Sequence, residues 1–118
     1  MAGVRLAEFL RDATSLPEVE LRGDDLLVHG KPFAGVSADG ETVRLKALRQ
    51  EQAALVEHDP GTYSPAETST ETSGRYGWVA IRLARVRRDE LAELLDEAWS
   101  HSAPKKLIVE RRKATGRD

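Results

Sequence analysis

One hundred and eighteen residues make one domain with one core, about two-thirds of the unfolded surface becoming buried. Hydrophobic residues are 40% of the chain and charged residues 32%, a globular profile and not a disordered one. There is no cysteine, which excludes disulfide frameworks, thiolate metal sites and cysteine nucleophiles, and a net charge of −2 taken whole argues against an anionic partner.

The first segment, from Gly3 to about Thr14, reads as a helix. Leu6, Phe9, Leu10 and Ala13 recur at helical spacing and share one face, while Arg5, Glu8 and Asp12 share the other. Ser15-Leu16-Pro17 ends it, because the residue before a proline is pushed out of the helical region. From Glu18 to Lys46 the texture changes to short apolar runs broken by turn residues, which predicts a meander of three strands. Leu26–His29 and Pro32–Val36 flank a tight turn at Gly30-Lys31, and Asp39-Gly40 is the strongest turn signal in the chain. In Thr42–Lys46, Val43 and Leu45 face the core and Thr42, Arg44 and Lys46 face outward.

Leu48 to Glu57 is rich in helix formers and is stopped by His58-Asp59-Pro60-Gly61. Thr62 to Ser73 has the composition of a loop. Gly77–Leu83 is a strand with Val79, Ile81 and Leu83 on one face and Trp78, Ala80 and Arg82 on the other. Arg88 to about Ser102 is the best helix, with Leu91, Leu94, Leu95, Ala98 and Trp99 in one stripe. Pro104 marks its end. Beyond it the reading is a domain over 1–107 followed by a basic, mobile tail over 108–118.

This order of elements suits an antiparallel sheet with helices packed on one face, hence α+β in two layers. No apolar run reaches about 18 residues and no basic-then-apolar signal pattern opens the chain, so it reads as soluble and cytoplasmic, with no membrane partner.

Four stretches carry a resemblance to a known family. They are GWVAIRLARVRRDELAELLDEAWSHSAPKKL (Gly77–Leu107), HGKPFAGV (His29–Val36), DGETVRLKAL (Asp39–Leu48) and the helix stop at His58-Asp59-Pro60. In order and spacing they resemble the MmcQ/YjbR family of small α+β proteins, over about Leu6 to Leu107. The resemblance implies the element order α-β-β-β-α-β(β)-α and a fold like that of the secretion chaperones. It also implies a DNA-binding role, since members are commonly labelled so by analogy of fold. Two stretches depart from the family pattern. Glu18–Asp25 is short and acidic where the family runs longer and apolar-aromatic, and the loop after Pro60 is rich in Ser, Thr and Glu where the family's is aromatic.

No catalytic constellation can be assembled, so the chain reads as a non-enzyme without cofactor or metal. His29, His58 and His101 stand at no metal-ligand spacing, and Glu18, Glu20, Asp24 and Asp25 follow no cation-loop pattern. The basic residues are more informative. An outward sheet face carrying Arg44, Lys46, Trp78 and Arg82, edged by Arg75 and Tyr76, suits phosphates and a stacked base. The competing reading has Trp78 packed under the long loop or in a dimer interface, with the cations merely solvated. Lys105, Lys106, Arg111, Arg112, Lys113 and Arg117 form a second basic set that suits a phosphate backbone. The near-neutral total hides this asymmetry: residues 1–103 hold 12 basic and 18 acidic side chains, for −6, and residues 104–118 hold 6 and 2, for +4. The functional expectation is therefore a DNA- or nucleic-acid-binding module. The alternative is a protein-interaction or homodimerising module with no nucleic-acid role.

Overall fold

The helical spacing of Leu6, Phe9, Leu10 and Ala13 produces α1 (Leu6–Thr14), with Phe9 and Ala13 fully buried. The Glu8 carboxylate accepts the Arg5 N–H at the helix start, and the Thr14 and Ser15 hydroxyls close its end on the Leu10 and Asp12 carbonyls. The structure, a computed structural model, describes residues 3–66 and 75–114.

Four strands follow, one more than the meander predicts: β1 (Val19–Arg22), β2 (Asp25–Val28), β3 (Lys31–Val36) and β4 (Thr42–Leu48). β1 was missed because an outer strand with one half-buried residue and three exposed ones carries almost no apolar period. The β2–β3 turn falls on His29-Gly30, one residue earlier than expected, with both residues at positive φ as a primed hairpin turn demands. The Asp39-Gly40 turn is as read. Asp39 accepts from the Ser37 hydroxyl at 2.6 Å and the Glu41 N–H at 2.9 Å, which pins the loop between β3 and β4.

After β4 come α2 (Arg49–His58), β5 (Tyr63–Ala66), β6 (Tyr76–Arg82), α3 (Arg88–Ser102) and α4 (Lys105–Ala114). Two of these correct the sequence reading. β5 lies inside the stretch read as loop from Thr62 to Ser73, whose residues 67–74 lie outside the described residues. Pro65 sits within β5, which an outer strand tolerates and a central one does not. The expected domain end at residue 107 falls inside α4, so the basic segment to Ala114 is helical; residues 115–118 lie outside the described residues. α4 escaped notice because Leu107 is its one buried side chain, with Ile108 only partly covered beside it, and one buried residue makes no periodic pattern.

The six strands form one antiparallel sheet in the order β1-β2-β3-β4-β6-β5. Val43, Leu45, Val79 and Ile81 form one core with Phe9, Leu91, Leu95, Ala98 and Trp99 of the helices, all at most 3% exposed. The result is the two-layer α+β arrangement. A bulge places Phe33 between Pro32 and Ala34 against the consecutive pair Leu26 and Leu27, so Phe33 joins Ala34 in the core.

Candidate nucleic-acid interface

The register of β4 on β6 decides where the basic strand residues go. Lys46 stands opposite Trp78, Arg44 opposite Ala80 and Thr42 opposite Arg82, so their side chains share one face as the alternation predicts. That face is not an open basic platform, however. The Arg44 guanidinium donates to Asp25 at 2.7 Å and to the Val36 carbonyl at 3.2 Å, so its charge is answered within the sheet. It also lies where a side chain on Gly35, its cross-strand partner, would have to stand, which is why the smallest residue occupies that position. Trp78 is only 5% exposed, with an indole N–H that has no hydrogen-bond partner among the described residues. Its ring is therefore not available to stack a base in this conformation. Arg82 is exposed but lies at the far end of β6, about 20 Å along the strand from Tyr76.

A different group assembles at the near end of the sheet. Lys46 Nζ donates to Ser102 Oγ at 3.1 Å and lies 4.7 Å from the centre of the Tyr76 ring. The Ser102 hydroxyl in turn donates to the Pro32 carbonyl at 3.2 Å, which joins the end of α3 to the start of β3. Burial holds the Lys46 ammonium below its ordinary pKa, and the charge of Lys31 close by adds to the effect. Arg75 is placed just before β6, where its carbonyl accepts the Arg49 N–H at 3.0 Å. Lys105 and Lys106 open α4, three and four residues after Ser102, and both are exposed. Among the described residues none of Lys31, Lys46, Arg75, Lys105 and Lys106 forms an ion pair.

His101 borders this group. Its ring lies 5.0 Å from that of Tyr76, centre to centre, and its Nε2 is 3.7 Å from the Glu51 carboxylate. Burial lowers the imidazole pKa; Glu51 works against that shift and Lys46 with it. One turn earlier on α3, burial and the same Glu51 carboxylate raise the Glu97 pKa.

The two remaining cations of the predicted set point elsewhere. Arg111 Nε donates to Asp96 at 2.8 Å, with its guanidinium 5.8 Å from the centre of the Trp99 ring. Arg112 shares with them the groove between α3 and α4, about 160 Å³ in volume. Of the nine predicted site residues, then, the fold gathers Lys46, Arg75, Lys105 and Lys106. It disperses or buries Arg44, Trp78, Arg82, Arg111 and Arg112. Lys31 and His101 were missed as members of the group. Lys31 adjoins a recognisable hairpin turn, but only the tertiary fold brings it beside Lys46. Among the described residues no set of three or more His, Asp or Glu side chains is placed to hold a metal, and no helix is long and apolar enough to cross a membrane.

The YjbR family model matches residues 14–101. The chain belongs to the YjbR family. Its fold is that of a Deinococcus radiodurans protein, DR2400, whose crystal structure carries a DUF419 domain: the two superpose with a TM-score of 0.67 over 95% of this chain and 88% of the other, at 18% identity. No curated protein matches the sequence. The YjbR match includes Lys31, Lys46, Arg75 and His101 and stops short of α4, so Lys105 and Lys106 lie outside the matched range.

Proposed function

We propose that this YjbR chain is a non-enzymatic nucleic-acid-binding module that takes a phosphate backbone at the end of the sheet formed by Lys31, Lys46, Arg75, Lys105 and Lys106. The observation that carries the reading is the setting of Lys46. Its ammonium is half-buried against Tyr76 and Ser102, beside Lys31, with no carboxylate among the described residues paired to it. Like charges held together without a counter-charge repel, and a bound phosphate relieves that repulsion while releasing its own counterions. The +4 of residues 104–118 adds to the attraction, and the −6 of the rest confines it to this end. The reading agrees with the DNA-binding role implied by the family resemblance, while moving the contact away from the middle of the sheet.

Anisotropy of labelled single-stranded and duplex oligonucleotides at about 20 and about 200 mM salt tests it. Binding is expected at low salt and should weaken by about tenfold or more at high salt, as for contact with a few phosphates. Lys46→Met and the pair Lys105→Glu with Lys106→Glu should each weaken it further, while Arg82→Glu, at the far end, should not. Deletion of α4 is the wrong variant, because it would strip Leu107 from the core. No binding at low salt, or equal losses in the Arg82 variant, overturns the reading.

A further inference from the structure

We propose that β1 is a self-association site, at which two copies of the chain pair antiparallel along Val19–Arg22 with Leu21 on the two-fold axis. This inference is independent of the nucleic-acid reading. The sheet has two outer strands, and they differ in kind. β5 carries Pro65, which has no N–H to give to a further strand. β1 carries no proline; Glu20, Leu21 and Arg22 are exposed, and Leu21 is 47% exposed.

The charges on β1 select the partner. If two copies pair antiparallel and keep their core faces on the same side, the two-fold axis must pass through a residue and not between two. An axis at Glu20 opposes two carboxylates, and one at Arg22 opposes two guanidiniums. An axis at Val19 sets Leu21 of one copy against Pro17 of the other, which has no N–H to give. An axis at Leu21 instead sets Glu20 of each copy opposite Arg22 of the other, on the same face and at cross-strand distance. In the single chain these two side chains pair with each other at 2.8 Å while remaining mostly exposed, so both are free to turn to a partner. On the opposite face Leu21 stands across from Leu26, which is fully buried. A second Leu21 continues the core over the joint. An outer strand built to repel copies of itself would carry like charges in this register; β1 carries complementary ones.

Four residues a side make a small interface, so pairing is expected with a dissociation constant on the order of 0.1 mM. Sedimentation equilibrium at low salt should show the 13.0 kDa chain passing to twice that mass as concentration rises. Glu20→Arg and Arg22→Glu should each weaken pairing by about tenfold or more, since each turns two attractive pairs into repulsive ones. An equimolar mixture of the two variants should associate as well as the original, and so should the double variant, because complementarity returns in both. Both positions are exposed, and circular dichroism checks that each variant is folded. A single 13.0 kDa species at every concentration up to about 1 mM overturns the proposal. So does self-association that the single variants leave unchanged, or a mixture that fails to pair.

Discussion

The Trp99 indole N–H donates to the Pro17 carbonyl at 3.1 Å and thereby ties the last turn of α3 to the turn that follows α1. Trp99 is 1% exposed, packed in the core, and covered on its outer side by the Arg111 guanidinium of α4. One side chain thus joins α1, α3 and α4. Replacing it with alanine should lower the unfolding free energy by about 3–5 kcal/mol, as for other buried tryptophans. Trp99→Phe keeps much of the volume but loses the hydrogen bond, and should cost about 1–2 kcal/mol. Urea unfolding followed by circular dichroism measures both, and a Trp99→Phe variant as stable as the original would show that the bond to Pro17 matters little.

Tyr63 joins β5 to α3. Its ring is 2% exposed and its hydroxyl donates to the Glu90 carboxylate. Burial first, and the Glu90 carboxylate second, push the phenol pKa above its ordinary value of 10.0. The folded state therefore keeps a proton that the unfolded state gives up near pH 10. The associated stability is fully present below about pH 10 and is lost as the pH rises from there through the folded-state value. Melting temperatures between pH 8 and pH 11 should fall more steeply for the original chain than for Tyr63→Phe. At neutral pH that variant should be less stable by about 1–2 kcal/mol, because Glu90 loses a donor that reaches it from the core.

His101 links stability to the proposed binding surface. Burial holds its pKa below the ordinary 6.5, so the folded state resists the proton that the unfolded state accepts. Stability from this group is present above about pH 6.5 and is lost as the pH falls through the folded-state value. Protonation also adds a positive charge beside Lys46 and Tyr76, which favours a bound phosphate. Between pH 7.5 and pH 5.5 oligonucleotide affinity should rise while the melting temperature of the free protein falls. His101→Gln should flatten both trends. If the variant keeps the rise in affinity, the charge that drives it resides elsewhere.

Much of the architecture was legible because short-range periodicity reports burial directly. The stripe Leu91, Leu95, Ala98 and Trp99 and the alternation Val79, Ile81 could only be a helix and a strand facing one core, and both are. β1, β5 and α4 were missed because each is held from one side or by one residue, and a single buried side chain has no period. The bulge at Phe33 was likewise invisible, since it is a property of the pairing and not of either strand alone.

The candidate site was only partly legible. Alternation correctly put Arg44, Lys46 and Trp78 on the same side of the sheet. It carried no information on what else reaches that side.

By itself the sequence determined the class of fold, the main helices and strands, the turn at Asp39-Gly40 and the concentration of positive charge after Pro104. These follow from neighbours a few positions apart. The tertiary structure alone decided which charges remain available. Arg44 is answered by Asp25, 19 positions away, while Lys46 reaches Ser102, 56 positions away, and stands beside Lys31 with no acid among the described residues paired to it. The physical reason is that a side chain's face is set by local backbone geometry, whereas its electrostatic partner is set by which distant segments the core draws together.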